Sequence, residues 1–249
     1  MTLTISGVTL LTYLLASVRL VAWLLVVPPF SARAVPVLAK VLLAVGLALA
    51  VAPHPESGSL PPALVEQVLS EALIGAGMGF VTYLVFATLQ AAGDLIDVFG
   101  GFSLAAAFDP LSQNMNSVNG KLFSMLATML LFASNAHLLV IGGLLRSFSD
   151  LPVGAPFHVG SFTHVVTVAF GMFFTTAVQI ALPLVGVLFV ADLGLALLTK
   201  VAPQLNAITI MFPAKIGLTL LVVGLSFAVL PDALGRLLER LSEALSALG

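Results

Sequence analysis

The chain has 249 residues, of which 60% are hydrophobic and 8% are charged, and its formal net charge at pH 7 is −2. Soluble domains carry about 25% charged residues, so this composition excludes a soluble globular fold and predicts an integral membrane protein. The chain contains no cysteine, which excludes disulfides, thiolate metal sites and cysteine nucleophiles, and it has no lysine or arginine cluster of the kind that binds nucleic acid.

Two apolar stretches open the chain. The first, Val8 to Val27, carries Arg19 within it. An arginine in such a helix either snorkels towards an interface or bonds a neighbouring helix, and a transport role is the alternative. The second stretch, Val37 to Val51 with Lys40 near its start, predicts a helix about 22 Å long, which is short for a bilayer core of about 30 Å.

The next apolar stretch, Ala63 to Ala92, predicts one long helix. Glu66 and Glu71 lie in its first turns, where carboxylates interact favourably with the helix dipole. Small residues further along favour close approach of a second membrane helix. They are Gly75, Gly77 and Gly79.

A polar segment from Gly93 to Lys121 follows, and it contains Asp94, Asp97 and Asp109. Lipid cannot satisfy the backbone of an irregular polar segment, so we expect protein to enclose it or water to fill the space that it lines. We therefore predict that this central segment is the functional part of the chain.

The pairing of Asp94 with Asp97 does not predict an enzyme. A catalytic divalent metal would need further acidic ligands or a basic group for phosphate, and an intramembrane aspartyl protease would need aspartates on separate helices. The four histidines form no zinc motif, and no serine nucleophile motif occurs. The sequence predicts no catalytic residue, no metal and no cofactor.

The stretch Leu122 to Leu145 predicts a full-length span carrying Ser134, Asn135 and His137. Such side chains bond neighbouring helices in membrane proteins, and a proton relay is the alternative.

The stretch Phe162 to Thr199 is too long for one simple crossing, so we expect a long tilted or kinked helix, or one that continues beyond the bilayer. Ala207 to Leu230 is the last long apolar stretch. Asp192, Lys200 and Lys215 are predicted to balance charge between these two helices.

The residues after Leu230 predict an amphipathic helix, because leucines recur at helical spacing opposite charged side chains. The fold class is therefore all-α: a polytopic membrane protein with about six apolar helical segments and a terminal amphipathic helix. A small-solute secondary transporter is one alternative function, with Arg19, His137 and Asp192 as its candidate residues, although no inverted repeat of the central segment occurs.

The run GGFSLAAAFDPLSQNMNSVNGKLFSMLATMLLFASNAHLLVIGGLLRSFSDLPVG resembles the central part of the FliR family, an inner-membrane component of the flagellar export gate whose injectisome counterparts are called SctT. Ser117 departs from the pattern, since many members are expected to have proline there. Three groups of residues match: Phe108-Asp109-Pro110 with Asn114-Met115; Asn135, His137 and Leu138 before Arg146-Ser147-Phe148 and Leu151-Pro152-Val153-Gly154; and Ala202-Pro203-Gln204-Leu205-Asn206 before Phe212-Pro213 and Lys215.

The resemblance implies a subunit of a protein export pore in the bacterial inner membrane, at the flagellar basal body. The partners would be FliP-like, FliQ-like and FlhB-like subunits and the exported protein substrates. Residues 1–161 would be a FliP-like portion containing the central loop 93–121, and residues 162–230 a FliQ-like helical hairpin, followed by the amphipathic helix 231–249. An injectisome homologue is the alternative to a flagellar one. Family assemblies are lifted largely out of the bilayer plane, which would explain the short second and overlong fifth apolar segments.

The resemblance also implies that residues 103–119 form a plug inside the closed pore, and a static re-entrant loop is the alternative. Gly100, Gly101 and Gly120 are the predicted hinges. The predicted plug residues are Phe102, Ser103, Phe108, Asp109, Pro110, Gln113, Asn114, Met115 and Asn116. The predicted polar contacts between helices are Arg19, Asn135, His137, Asp192, Lys200 and Lys215.

Overall fold

The computed structural model describes residues 7–51, 64–102, 117–155, 157–201 and 207–246, and the side chains of 207–210 and 241–246 lie outside this description. Helices make up nearly all of the described chain, and no strand occurs in these ranges. The helices are α1 (Gly7–Val26), α2 (Val37–Val51), α3 (Leu64–Gly100), α4 (Val118–Ala133), α5 (Ala136–Asp150), α6 (Val159–Val201), α7 (Ala207–Ser226) and α8 (Leu230–Ser246).

Three of these helices, α1, α3 and α6, are long and apolar enough to cross a membrane. Two bent pairs of consecutive helices pass the same test when each pair is counted together: α4 with α5, and residues 211–226 of α7 with residues 230–240 of α8. Helix α2 is apolar but shorter. A bilayer core requires about 20 apolar residues of helix, which these helices supply. The predicted all-α, polytopic membrane architecture is confirmed.

Helices pack closely in the first of two compact units, which comprises residues 1–84, 135–170 and 238–249. Its core includes Leu20 and Trp23 of α1, Met78 of α3 and Leu144 of α5. A Cβ on Gly75 would lie 2.1 Å from the backbone oxygen of Arg19, so only glycine allows α3 to approach α1 this closely.

The second unit comprises residues 85–134 and 171–237. Ile96 of α3, Phe123 of α4, Leu188 of α6 and Val223 of α7 are among its buried side chains. A helix satisfies most of its backbone hydrogen bonds internally, as a membrane segment requires, and apolar side chains of neighbouring helices in each unit are buried.

Two predicted boundaries of the central segment are wrong. The helix that was expected to end at Ala92 continues as α3 to Gly100, and α4 already begins at Val118. The reason is that Asp97 accepts hydrogen bonds from Ser117 and Asn119, so this polar residue can remain within the helix.

The stretch from Leu122 to Leu145, expected to be one full-length span, is two helices, α4 and α5, which are long enough for a span only as a bent pair. The helix is interrupted at Ser134 and Asn135, and Asn135 has φ 56° and ψ 15°, in the left-handed region that asparagine tolerates better than most residues. By contrast, the long fifth segment is one helix, α6, and the terminal amphipathic helix, α8, begins close to its predicted start.

Candidate functional site

Most of the predicted plug lies outside the described residues. Phe102 is described and is half-buried immediately after the end of α3. The plug residues about which nothing is described are Ser103, Phe108, Asp109, Pro110, Gln113, Asn114, Met115 and Asn116. Because α3 ends at Gly100 and α4 begins at Val118, the central segment is from here on residues 101–117, and its two ends, at Gly101 and Ser117, define the candidate site.

The N-terminal end of the central segment contacts α7. The hydroxyl of Thr219 donates to the backbone oxygen of Lys215 at 2.8 Å and also lies 3.3 Å from the backbone oxygen of Gly100. A Cβ on Gly100 would lie 2.8 Å from the Thr219 side chain, so α3 and α7 are in close contact here. Gly101 has φ +86°, a conformation that favours glycine, and the Lys215 methylenes lie beside it. Gly101 thus supplies the turn that ends α3, which is compatible with its predicted role as a hinge.

Lys215 also connects α7 to α6. Its ammonium group lies 2.8 Å from Asp192 Oδ2, and the two side chains are 16% and 33% exposed. The pair balances two charges on apolar helices, as expected for such positions in membrane proteins. Lys200, the third residue predicted to share this role, is exposed in the last turn of α6.

The C-terminal end of the central segment is attached to α3 by Asp97, which is 4% exposed. One oxygen of its carboxylate accepts from the Ser117 hydroxyl at 2.5 Å and from the Asn119 backbone N–H at 3.0 Å. The other oxygen accepts from the Asn119 side-chain amide at 2.5 Å. We call Asp97, Ser117 and Asn119 the Asp97 cluster; its carboxylate meets three donors, as a buried carboxylate requires.

Close backbone packing accompanies the Asp97 cluster. A Cβ on Gly93 would lie 2.5 Å from the backbone oxygen of Asn119, and a Cβ on Gly120 would lie 1.9 Å from Asp94 Oδ1. Ser117 is the N-cap of α4, since its hydroxyl oxygen accepts from the Gly120 N–H at 2.8 Å. Gly120 therefore lies inside the first turn of a helix, where its small size allows close contact.

A second polar site lies in the first unit, where Arg19 and Glu71 are both fully buried. The guanidinium binds the carboxylate through two contacts: Nε to Oε2 at 2.6 Å and Nη2 to Oε1 at 3.1 Å. It also lies over the Phe148 ring, 4.4 Å from its centroid. The sequence placed Arg19 in a contact between helices but assigned Glu71 only to the helix dipole, because the partners are 52 positions apart.

The same ion pair holds the turn that follows α5. Arg19 Nη1 donates to the backbone oxygens of Leu151 at 2.9 Å and Ser147 at 3.4 Å. Glu71 Oε1 accepts from the Gly154 N–H at 2.8 Å, and Gly154 has φ +86°. The Leu-Pro-Val-Gly residues that carried part of the sequence resemblance thus form a turn bonded to a buried ion pair.

Asn135 makes no capping hydrogen bond with its side chain, and its described contribution is the left-handed backbone between α4 and α5. His137 follows in the first turn of α5 and is half-buried. Their predicted contacts between helices stay predictions.

The chemistry available at these sites is that of packing and capping. Asp97, Glu71 and Asp192 each accept hydrogen bonds from donors of the same chain. Within the ranges that the structure describes, no group of three or more histidine, aspartate or glutamate side chains could hold a metal ion.

Comparison with known proteins places the chain in a family. Its sequence matches the family described as "Bacterial export proteins, family 1" over residues 10–241. It is 33% identical to the flagellar biosynthetic protein FliR of Escherichia coli (strain K12) over 196 residues, which cover 77% of this chain and 75% of that protein. It is 29% identical to FliR of Bacillus subtilis (strain 168) over 204 residues, covering 80% and 79%.

A protein of another name is also similar. The Yop proteins translocation protein T of Yersinia pestis is 28% identical over 207 residues, covering 79% of this chain and 78% of that protein. The resemblance to FliR and its injectisome counterparts is therefore confirmed. With a match that spans most of its length, the chain belongs to family 1 of the bacterial export proteins.

Proposed function

We propose that this chain is a structural subunit of a type III protein export apparatus, and that it belongs to the flagellar branch. The observation that carries the proposal is the family match over residues 10–241. The flagellar assignment follows the higher identity to the Escherichia coli FliR protein, 33% against 28% for the Yersinia pestis translocation protein. Its place would be the bacterial inner membrane, at the flagellar basal body.

The partners in this proposal are FliP-like, FliQ-like and FlhB-like subunits. The exposed apolar surface of α6 supports such partners, because Phe174 is 62% exposed and Val201 is 86% exposed. These residues are about 40 Å apart along a helix that rises ~1.5 Å per residue. A bilayer core of about 30 Å cannot cover both residues at the usual tilt of ~20°, so partner subunits would cover the apolar surface that extends beyond it.

The role proposed for residues 103–119 is that of a plug in the closed pore. The support is that both ends of this segment are attached to packed helices: Gly100 and Gly101 to α7, and Ser117 and Asn119 to α3. A plug must leave and return without breaking a packed core, and such ends would confine its motion to the residues between them. This proposal gives the chain no catalytic step.

Replacing residues 103–116 by a short Gly-Ser linker tests the plug while keeping Ser117 and the Asp97 cluster. The assembled complex should become permeable to ions and small solutes, as measured by efflux from loaded vesicles. The control is the same linker in place of residues 54–61, in the connection between α2 and α3, which should leave the vesicles tight. Equal permeability of the wild-type complex and the 103–116 variant would contradict the plug.

A secondary transporter is the second candidate considered from the sequence. The structure gives the transporter function little support, because Arg19 and Asp192, two of its candidate residues, form ion pairs between helices. Purification decides between the two functions. An export subunit should purify with the other export subunits, whereas a transporter should move solute as the purified chain alone and lose that flux on changing Asp192 or His137.

A further inference from the structure

The Asp97 cluster joins two parts of the chain that helix formation alone does not bring together. Asp97 lies in the last turns of α3, and its partners lie 20 and 22 positions later, at the start of α4. Three donors converge on one carboxylate that is nearly inaccessible to solvent. Water therefore cannot replace these donors without opening the contact between the two helices.

We propose that Asp97 is a positioning residue that fixes where the central segment ends. It does so by holding Ser117 and Asn119 against α3, which sets the register between α3 and α4. The pivot for any motion of the central segment then lies before Ser117. Gly120 follows that pivot and serves the close packing of α4 on Asp94.

Two further observations support this assignment. Gly93 and Gly120 bring the two backbones together directly beside the cluster, so a carboxylate at position 97 can reach the first turn of α4. The Ser117 hydroxyl is also both a donor and an acceptor, since it donates to Asp97 and accepts from the Gly120 N–H. The cluster is thus a continuous set of hydrogen bonds from α3 into the backbone of α4.

Hydrogen exchange of the full-length chain in detergent tests the proposal. In Asp97→Ala, the amides of Asn119 and Gly120 should exchange about ten- to hundredfold faster, the range that corresponds to losing hydrogen bonds to a charged group. Amides in the middle of α4 should keep their protection. Asp150→Ala is the control, because it removes an exposed carboxylate from the end of α5 and should change neither set.

A reciprocal exchange separates positioning from general loss of packing. The single changes Asp97→Asn and Asn119→Asp each disturb the pairing of a carboxylate with an amide, and the double variant D97N/N119D restores it with the roles reversed. We expect slow exchange at positions 119 and 120 to return in the double variant. Unchanged exchange in Asp97→Ala, loss of protection over the whole chain in that variant, or failure of the double variant to recover would each overturn the proposal.

The consequence for export rests on the proposed function. If residues 103–116 are a plug, Asp97→Ala should also increase the permeability of the assembled complex, and D97N/N119D should reduce it again. Faster exchange without any change in permeability would leave Asp97 as a positioning residue and would count against the plug. Hydrogen exchange therefore tests the positioning role of Asp97, permeability tests the plug, and either proposal can be contradicted without the other.

Discussion

At the scale of single residues, charges inside apolar helices of this protein are met by specific partners. Arg19 binds Glu71 and two backbone oxygens, and Lys215 binds Asp192. An isolated charge in a low-dielectric interior is very costly, so such residues persist only where a partner and further hydrogen bonds are available. The contact between helices that the sequence predicted for Arg19 therefore has a physical cause, namely the need to satisfy a buried guanidinium.

Arg19→Met should destabilise the protein by about 3–5 kcal/mol, because it leaves the Glu71 carboxylate buried and unpaired. Thermal or denaturant unfolding in detergent measures this loss. The control is Arg33→Met, which removes an exposed arginine and should change stability by no more than ~0.5 kcal/mol. Similar unfolding midpoints for the two variants would show that the ion pair contributes little.

Position 117 illustrates how one site can accommodate different residues. Ser117 has φ −50° and ψ 128°, values that a proline ring also allows, so the proline expected in many members of the family fits the same backbone. Serine adds a hydroxyl that caps α4 and bonds Asp97. The departure from the family pattern therefore keeps the local conformation and adds hydrogen bonds.

At the scale of helices, close approach depends on glycines at defined crossings. Gly75 faces the backbone of Arg19, and Gly93 faces the backbone of Asn119. Packing in membranes relies on dispersion contacts and short distances, since lipid competes with side chains for apolar surface. A side chain at either position would separate two helices that also share polar contacts.

Gly93→Ala should lower stability by about 1–3 kcal/mol, because its Cβ would lie 2.5 Å from the Asn119 oxygen and α3 and α4 would have to separate. Gly46→Ala on α2 is the matched control, as no atom lies within 4 Å of its Cβ. It should be neutral or stabilise the helix by up to ~1 kcal/mol. Unfolding in detergent measures the stability of both variants. Equal stability would mean that α3 and α4 can move apart at Gly93 with little loss of free energy.

At the scale of the whole molecule, the chain leaves much apolar surface uncovered. Exposed large side chains occur along α2, α4, α6 and α7, including Leu42, Met129, Phe174 and Leu220. Lipid covers such surface within the bilayer, and the partner subunits proposed above would cover apolar surface that lies outside it.

Single fluorophores attached at Phe174→Cys and Val201→Cys should report different surroundings in the assembled complex. Their separation of about 40 Å exceeds the hydrocarbon thickness, so brominated lipid should quench at most one of them strongly. Val187→Cys, between them, serves as the internal reference. Strong quenching at both positions would show that lipid reaches both ends of this helix and would remove this support for partner subunits.

The sequence by itself determined the class of the protein, the position of most helices and the family. Composition excludes a soluble fold, and apolar stretches of sufficient length form helices because lipid offers the backbone no other hydrogen-bond partners. The matching groups of residues around Asn135, Leu151 and Lys215 were sufficient to predict the family, which the comparisons confirm.

Only the tertiary structure decided which polar residues meet. Glu71 lies 52 positions from Arg19 and Asn119 lies 22 positions from Asp97, so no local spacing indicates either pairing. The contacts of Asp97 also decided where the central segment ends, since a helix can continue through a polar residue when a neighbouring helix satisfies it. The spacing of apolar and polar residues along the sequence depends on the surrounding solvent and on the helical period. The pairing of polar side chains depends instead on which helices are in contact and on how closely their glycines allow them to approach.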